Sequence, residues 1–411
     1  MAAQDYSPAA YDPFSPAVMA NPVPFYEELR AKPEVHFIAK YDTWAFSRFQ
    51  DIVDVLTIGD NAFIASESTL PSEEMLLDRH TGTAQELPLD PLPGFALLGS
   101  PHYEALRQAH IKPLQPKAVK SLAGFVEGLA NELLDDLLPR KRFDLTQDYG
   151  GIISASVICK LFGIELTRAR EVLDMVNAMS RTDEASGGID VPMMMARYAA
   201  IIGECVTRRR AAGADGDNML IDGLIHLDHF SRALSDEEVA AQLVCVFVGG
   251  TETAPKIAAH GLMELANTPD QLAEVRADLA KNVPRAVEEM IRFCAPAQWF
   301  SRTAHRDVEV AGARIRKGQR IIVLFGSAKW DEAEFDAPRE FRWNRPIRRV
   351  LSFGTGQHYC FGIHLARLEL KIMVETFLRR VGSYSFDMGS AIRYPSSFQW
   401  GWNSLPVVIG D

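Results

Sequence analysis

Near the carboxyl end the chain reads Phe353-Gly354-Thr355-Gly356-Gln357-His358-Tyr359-Cys360-Phe361-Gly362, followed by Ile363-His364-Leu365-Ala366-Arg367-Leu368-Glu369 with helical period. A glycine-bearing turn therefore delivers a single cysteine to the start of a helix. Unpaired backbone N–H groups and the positive end of the helix dipole lie there, and both favour a thiolate, the form of cysteine that ligates a metal. Gly354, Gly356 and Gly362 let the backbone turn tightly and lie close to a flat partner. A lone cysteine is most often an inert core thiol. Cys159, Cys205, Cys245 and Cys294 are read that way, and only Cys360 has such a surrounding.

With 411 residues and 47% hydrophobic content, the chain has material for a large core. The 43 Lys and Arg against 54 Asp and Glu give a net charge of −11, which argues against a nucleic-acid binder. Five scattered cysteines make no disulfide framework and have no metal-site spacing, so a reducing cytoplasm is expected. The first thirty residues lack a basic region followed by an apolar stretch, and no apolar run reaches membrane-spanning length. Neither export nor a membrane anchor is expected. Without repeats or linkers, residues 1–20 read as an extension and 21–411 as one domain.

Val35 to Phe46 alternates β-formers around a polar turn and predicts a hairpin, whereas most of the chain beyond Phe46 has helical period. The best-marked helix begins at Ser235, because Ser235-Asp-Glu-Glu238 is a capping box, and it should stop near Asn267-Thr268-Pro269. Its middle, Ala240 to Gly250, is apolar on every face, so it must run through the core. Its centre breaks helical rules: Gly249-Gly250 is a weak pair, Glu252 places a carboxylate in a buried segment, and Pro255 cannot donate to the Thr251 carbonyl. A kink is expected there, able to admit water beside an acid and an alcohol.

The decapeptide ending at Gly362 resembles the heme-binding loop of the cytochrome P-450 family, Phe-x-x-Gly-x-x-x-Cys-x-Gly. The resemblance extends from Asn21-Pro22 through Trp44 and Arg48 to Leu405-Pro406-Val407 and is nearest to the soluble bacterial members. It implies a mainly α fold with small β-sheets and a long kinked central helix over heme b. It also implies a monooxygenase that uses O2, with Cys360 as iron ligand and Phe353, Gly354 and Gly362 shaping the cofactor loop. Glu289-Met-Ile-Arg292 matches the Glu-x-x-Arg element, which the family joins to a later arginine, here Arg345; these three are assigned to structure. Gly249, Gly250, Glu252 and Thr253 fall on the oxygen-handling site. His358, Arg302 and Arg107 are the expected propionate partners. Where the family commonly has Asp-Pro-Pro-x-His, this chain has Gly99-Ser100-Pro101-His102-Tyr103, which puts Tyr103 at the histidine position, or His102 after a one-residue shift. A second departure, Ala328-Lys329-Trp330-Asp331 in place of Asn-Arg-Asp, has no functional account in the sequence.

Family pocket positions map to Phe95, Leu97 and Leu98 before Arg107 and to Val244, Cys245 and Val248 on the central helix. Ala297, Trp299, Phe398 and Gln399 complete the set, of which some are expected only to fill core. So apolar a lining suits a terpenoid, steroid, fatty or aromatic substrate. No flavin or iron–sulfur segment is visible, so electrons are expected from a 2Fe–2S ferredoxin and its reductase. Arg345, Arg348 and Arg349 with Lys112, Lys117 and Lys120 form the candidate docking face of a monomer. The competing readings are a peroxide-driven peroxygenase, a non-catalytic heme protein that binds ligand, and a carrier without heme.

Overall fold

The computed structural model describes residues 11–78, 88–179, 191–216 and 218–410. The first ten residues of the expected extension lie outside them. The hairpin forms as read: His36–Ile38 pairs antiparallel with Thr43–Phe46 around a tight turn at Ala39–Tyr41, closed by Asp42 at φ 48°. Thr43–Phe46 then pairs in parallel with Arg320–Val323, and Phe300–Ala304 and Phe63–Ile64 extend the sheet to five strands. Arg302 is carried on this sheet. Elsewhere Pro406–Ile409 lies between Arg142–Asp144 and Tyr384–Phe386, which ties the carboxyl-terminal segment back to the helices.

The central helix spans Asp236–Asn267, 32 residues, and has the capping box read from its sequence. Ser235 Oγ accepts from the Glu238 N–H at 3.2 Å, and the Glu238 carboxylate accepts from the Ser235 N–H at 2.7 Å. Glu238 also receives Arg232 and the Leu92 N–H. Arg232 is the main reason its pKa falls to about 2. Helices Gly151–Phe162, Val191–Ala211, Leu279–Cys294 and Ile363–Arg380 pack around the central one. Pro255 is accommodated inside the helix because Gly150 lies against it, where a Cβ would come within 3.0 Å of the proline Cα.

Pro284 lies inside its helix rather than at the start. Leu279–Cys294 begins a turn earlier, where the Asp278 carboxylate caps it by accepting from the Lys281 N–H at 3.1 Å. On that helix Glu289 and Arg292 pair at 2.7 and 2.8 Å with no solvent exposure, and Arg345 reaches Glu289 at 3.1 Å.

Candidate active site

Cys360 is positioned by its own loop. Its N–H donates to the Phe353 carbonyl at 2.9 Å, and Gly354 and Gly356 take φ of 68° and 71° to close the turn. Gly356 is required by protein rather than by a flat partner, since a Cβ there would lie 2.4 Å from the Leu56 carbonyl oxygen. Helix Ile363–Arg380 starts immediately after the loop. Burial pushes the Cys360 thiol up, while the Gly362 N–H and the Arg107 guanidinium act the other way. The helix start therefore does not by itself yield a thiolate; a metal cation at the sulfur would supply the missing charge.

Beside the loop a polar corner gathers. Arg107 donates to the Tyr103 hydroxyl at 3.0 Å and to the Tyr359 carbonyl, and the Tyr103 ring lies 4.3 Å from that of His358. The Arg302 guanidinium is enclosed, donates only to the adjacent Ser301 carbonyl at 2.7 Å and has no carboxylate partner among the described residues. Burial accordingly lowers its pKa. An enclosed cation with no ion pair, on which Asp60 acts only at longer range, near a second arginine, a phenol and an imidazole, is a donor set that suits two heme propionates. His102 does not join it: its ring nitrogen is 2.9 Å from His229 and the ring stacks on Phe230, which leaves Tyr103 at this position. Asp60, 3.1 Å from His358, was not singled out from sequence, because nothing local connects two residues so far apart in the chain.

Across the site the central helix exposes a line of surface in its otherwise buried middle, at Ala241, Val244, Cys245, Val248 and Gly249. Cys245 has free surface, yet surrounding protein pushes its thiol up to about 11, so the line faces an internal space. A Cβ at Gly249 would meet nothing within 4 Å, whereas one at Gly250 would lie 2.5 Å from Ile158. Gly249 thus borders the space and Gly250 permits helix packing. Helix His102–Ile111 links the two walls: His110 is 2.8 Å from the Gln242 carbonyl and 5.7 Å from the Phe361 ring.

Glu252 and Thr253 turn to different partners. The Thr253 hydroxyl donates to the Gly249 carbonyl at 3.3 Å. The Glu252 carboxylate is held by Lys256 and by the Gln399 amide at 2.7 Å. Gln399, expected in the pocket, is therefore buried in this ion-pair group. Trp299 likewise belongs to the amino-terminal core, 6.0 Å from Phe14, with its indole N–H on the Ser397 carbonyl. Phe95 is packed between Tyr103 and His110, and Leu98 is buried beside it. Leu97, Ala297 and Phe398 retain partial exposure, Phe398 against Phe300 at 5.3 Å. The unusual Lys329-Trp330 pair also finds an account: Trp330 packs on Trp400 and Arg339, and Lys329 donates to the Ala295 carbonyl at 2.9 Å. Trp330 thereby braces the segment that carries Phe398 and Gln399, and Lys329 the turn at Ala295.

The family model for cytochrome P-450 matches residues 94–389, more than half of the chain. Cytochrome P-450 123 of Mycobacterium tuberculosis is 28% identical over 405 residues, 97% of this chain and 96% of that one. Cytochrome P-450 126 of the same organism is 31% identical over 294 residues, 70% of each. The solved cytochrome P-450 CYP109Q5 from Chondromyces apiculatus superposes with a TM-score of 0.81 at 27% identity, covering 98% of this chain and 99% of its own. Among the described residues no helix is long and apolar enough to cross a membrane. The enclosed cysteine, the unpaired Arg302 and the accessible stripe opposite them agree with these likenesses: the chain belongs to the cytochrome P-450 family and is a heme-thiolate monooxygenase that binds heme b.

Proposed function

We propose that Cys360 is the iron ligand and that the enzyme inserts one atom of dioxygen into an apolar small molecule, a terpenoid, steroid, fatty or aromatic compound, with hydroxylation the default outcome. The observation that carries this reading is the internal stripe of Val244, Cys245, Val248 and Gly249, apolar surface kept open halfway along a core helix. Heme b, when bound, supplies the activation of dioxygen. Arg107, Arg302, His358 and Tyr103 hold its propionates, and the Phe353 carbonyl fixes the backbone at the sulfur. Gly249 leaves room at the distal face, and Glu252 and Thr253 supply protons there, Glu252 being held at rest by Lys256 and Gln399 and the Thr253 hydroxyl by the Gly249 carbonyl.

Electrons come from a 2Fe–2S ferredoxin with its reductase. Arg348, Lys112, Lys117 and Lys120 are exposed and have no ion-pair partner among the described residues, which supports docking there. Arg345 leaves the docking set because it is bound to Glu289, and Arg349 pairs with Glu334 at 2.7 Å. We read the enzyme as a cytoplasmic monomer whose residues 21–411 form one heme domain. The test is the absorption of the reduced protein under carbon monoxide, with Cys360→Ser beside it, then turnover with NADH, ferredoxin and reductase. A thiolate-shifted Soret band that Cys360→Ser loses is expected. The reading fails if the band is unshifted, or if hydrogen peroxide alone sustains turnover and the ferredoxin system does not.

A further inference from the structure

The central helix carries one polar line through its buried length. Glu252, Lys256, His260 and Glu264 recur at intervals of four, a spacing that stacks side chains on one helix face. Charges in a core are costly unless paired. The first two are paired, each side chain 2% exposed: Lys256 Nζ donates to Glu252 and, at 2.5 Å, to Gln399 Oε1, whose amide in turn donates to Glu252. One turn on, buried His260 Nε2 lies 3.2 Å from Glu264 Oε1, and the Glu264 side chain keeps 20% of its surface. The line thus begins at the helix centre beside Thr253 and ends at solvent. Between the two pairs His260 Nδ1 is buried with no hydrogen-bond partner, and one bridging water toward Lys256 would satisfy it.

We propose that this face is the proton path of the enzyme, entering at Glu264 and delivering at Glu252. The proposal rests on the monooxygenase reading above, in which each dioxygen consumes two electrons and two protons. Every hop is balanced. Lys256 gives a proton to Glu252 and is refilled from His260 Nδ1–H through the water. His260 Nε2 takes a proton from protonated Glu264, which recovers its own from solvent, and the imidazole, left with its proton on Nε2, turns over to restore Nδ1–H before the second proton passes. The neutral imidazole is the form that serves, a donor at one nitrogen and an acceptor at the other. Its surroundings favour that form. Burial lowers the His260 pKa, as do Arg393 from the carboxyl-terminal segment and Lys329 from the segment after Arg320–Val323. Glu264 on its own helix acts oppositely, and Phe293 covers the ring edge-on at 6.3 Å.

The experiment uses holoenzyme carrying Lys256→Met, His260→Phe or Glu264→Gln, with Lys256→Arg and Glu264→Asp as conservative controls. Product per NADH falls about tenfold in the first three as peroxide rises, while the two controls keep most of it. A second readout needs no turnover: in the diamagnetic ferrous carbon monoxide form, the nitrogen NMR titration of His260 moves down in Glu264→Gln, which removes the carboxylate that holds it up. Glu264→Gln lies at the surface and keeps the test open should Lys256→Met not fold. Normal product yield in both His260→Phe and Glu264→Gln, or a His260 titration unmoved in Glu264→Gln, overturns the path. Loss of the thiolate-shifted carbon monoxide band in wild type would refute the parent reading instead.

Discussion

Glu369→Gln should stabilise the protein, and by an amount that grows with pH. Glu369 lies on the helix after the Cys360 loop, 1% exposed, with Oε2 accepting from the Ser154 hydroxyl at 2.5 Å and Oε1 unpartnered. Burial pushes its carboxyl up to about 8, whereas the unfolded chain holds such a group near roughly 4.3. Between those values the unfolded chain ionises and the native one keeps its proton. Stability is therefore fully present below about pH 4.3 and is lost as pH rises toward 8. At about 1.4 kcal/mol per unit, the loss is about 4 kcal/mol by pH 7 and about 5 kcal/mol by pH 8. Glutamine keeps the shape without the charge, and its extra unpaired N–H costs about 1–2 kcal/mol at every pH. The net expectation is near-neutrality around pH 5 to 6 and a gain of about 3–4 kcal/mol at pH 8. Urea midpoints of both holoproteins from pH 5 to 8, at one ionic strength, measure it. A difference that does not change with pH, or a variant less stable at pH 8, would refute the argument.

Gly356→Ala should cost more than about 2 kcal/mol and lower heme content, because its Cβ would press on the Leu56 carbonyl from a left-handed backbone. Wild-type heme content by pyridine hemochrome would show that the approach is not tight. Arg302→Leu should speed heme transfer to apomyoglobin by about tenfold or more without moving the carbon monoxide band, since it removes an anchor and not a ligand; an unchanged transfer rate removes Arg302 from the propionate set. Thr253→Ala should bind heme normally yet divert NADH to peroxide, and unchanged coupling of NADH to product would end its role as proton donor.

The parts legible in the sequence are those whose physics is local. A capping box acts within four residues, so the start of the 32-residue helix at Asp236 followed from Ser235 and Glu238. The turn around Cys360 and the i, i+3 pair Glu289–Arg292 are equally local. What tertiary structure alone decided is which distant group each buried polar or aromatic side chain meets. Glu252 was read beside Thr253, its chain neighbour, but successive residues on a helix point in different directions, and its carboxylate found Lys256 and Gln399, the latter 147 positions away. His358 met Asp60 across 298 positions, and Trp299 went to the amino-terminal core. A buried charge must be paired by whatever the fold brings within about 3 Å. Chain separation carries no record of that partner, so the sequence located the Cys360 turn and the long central helix, while the packing chose the partners of Glu252.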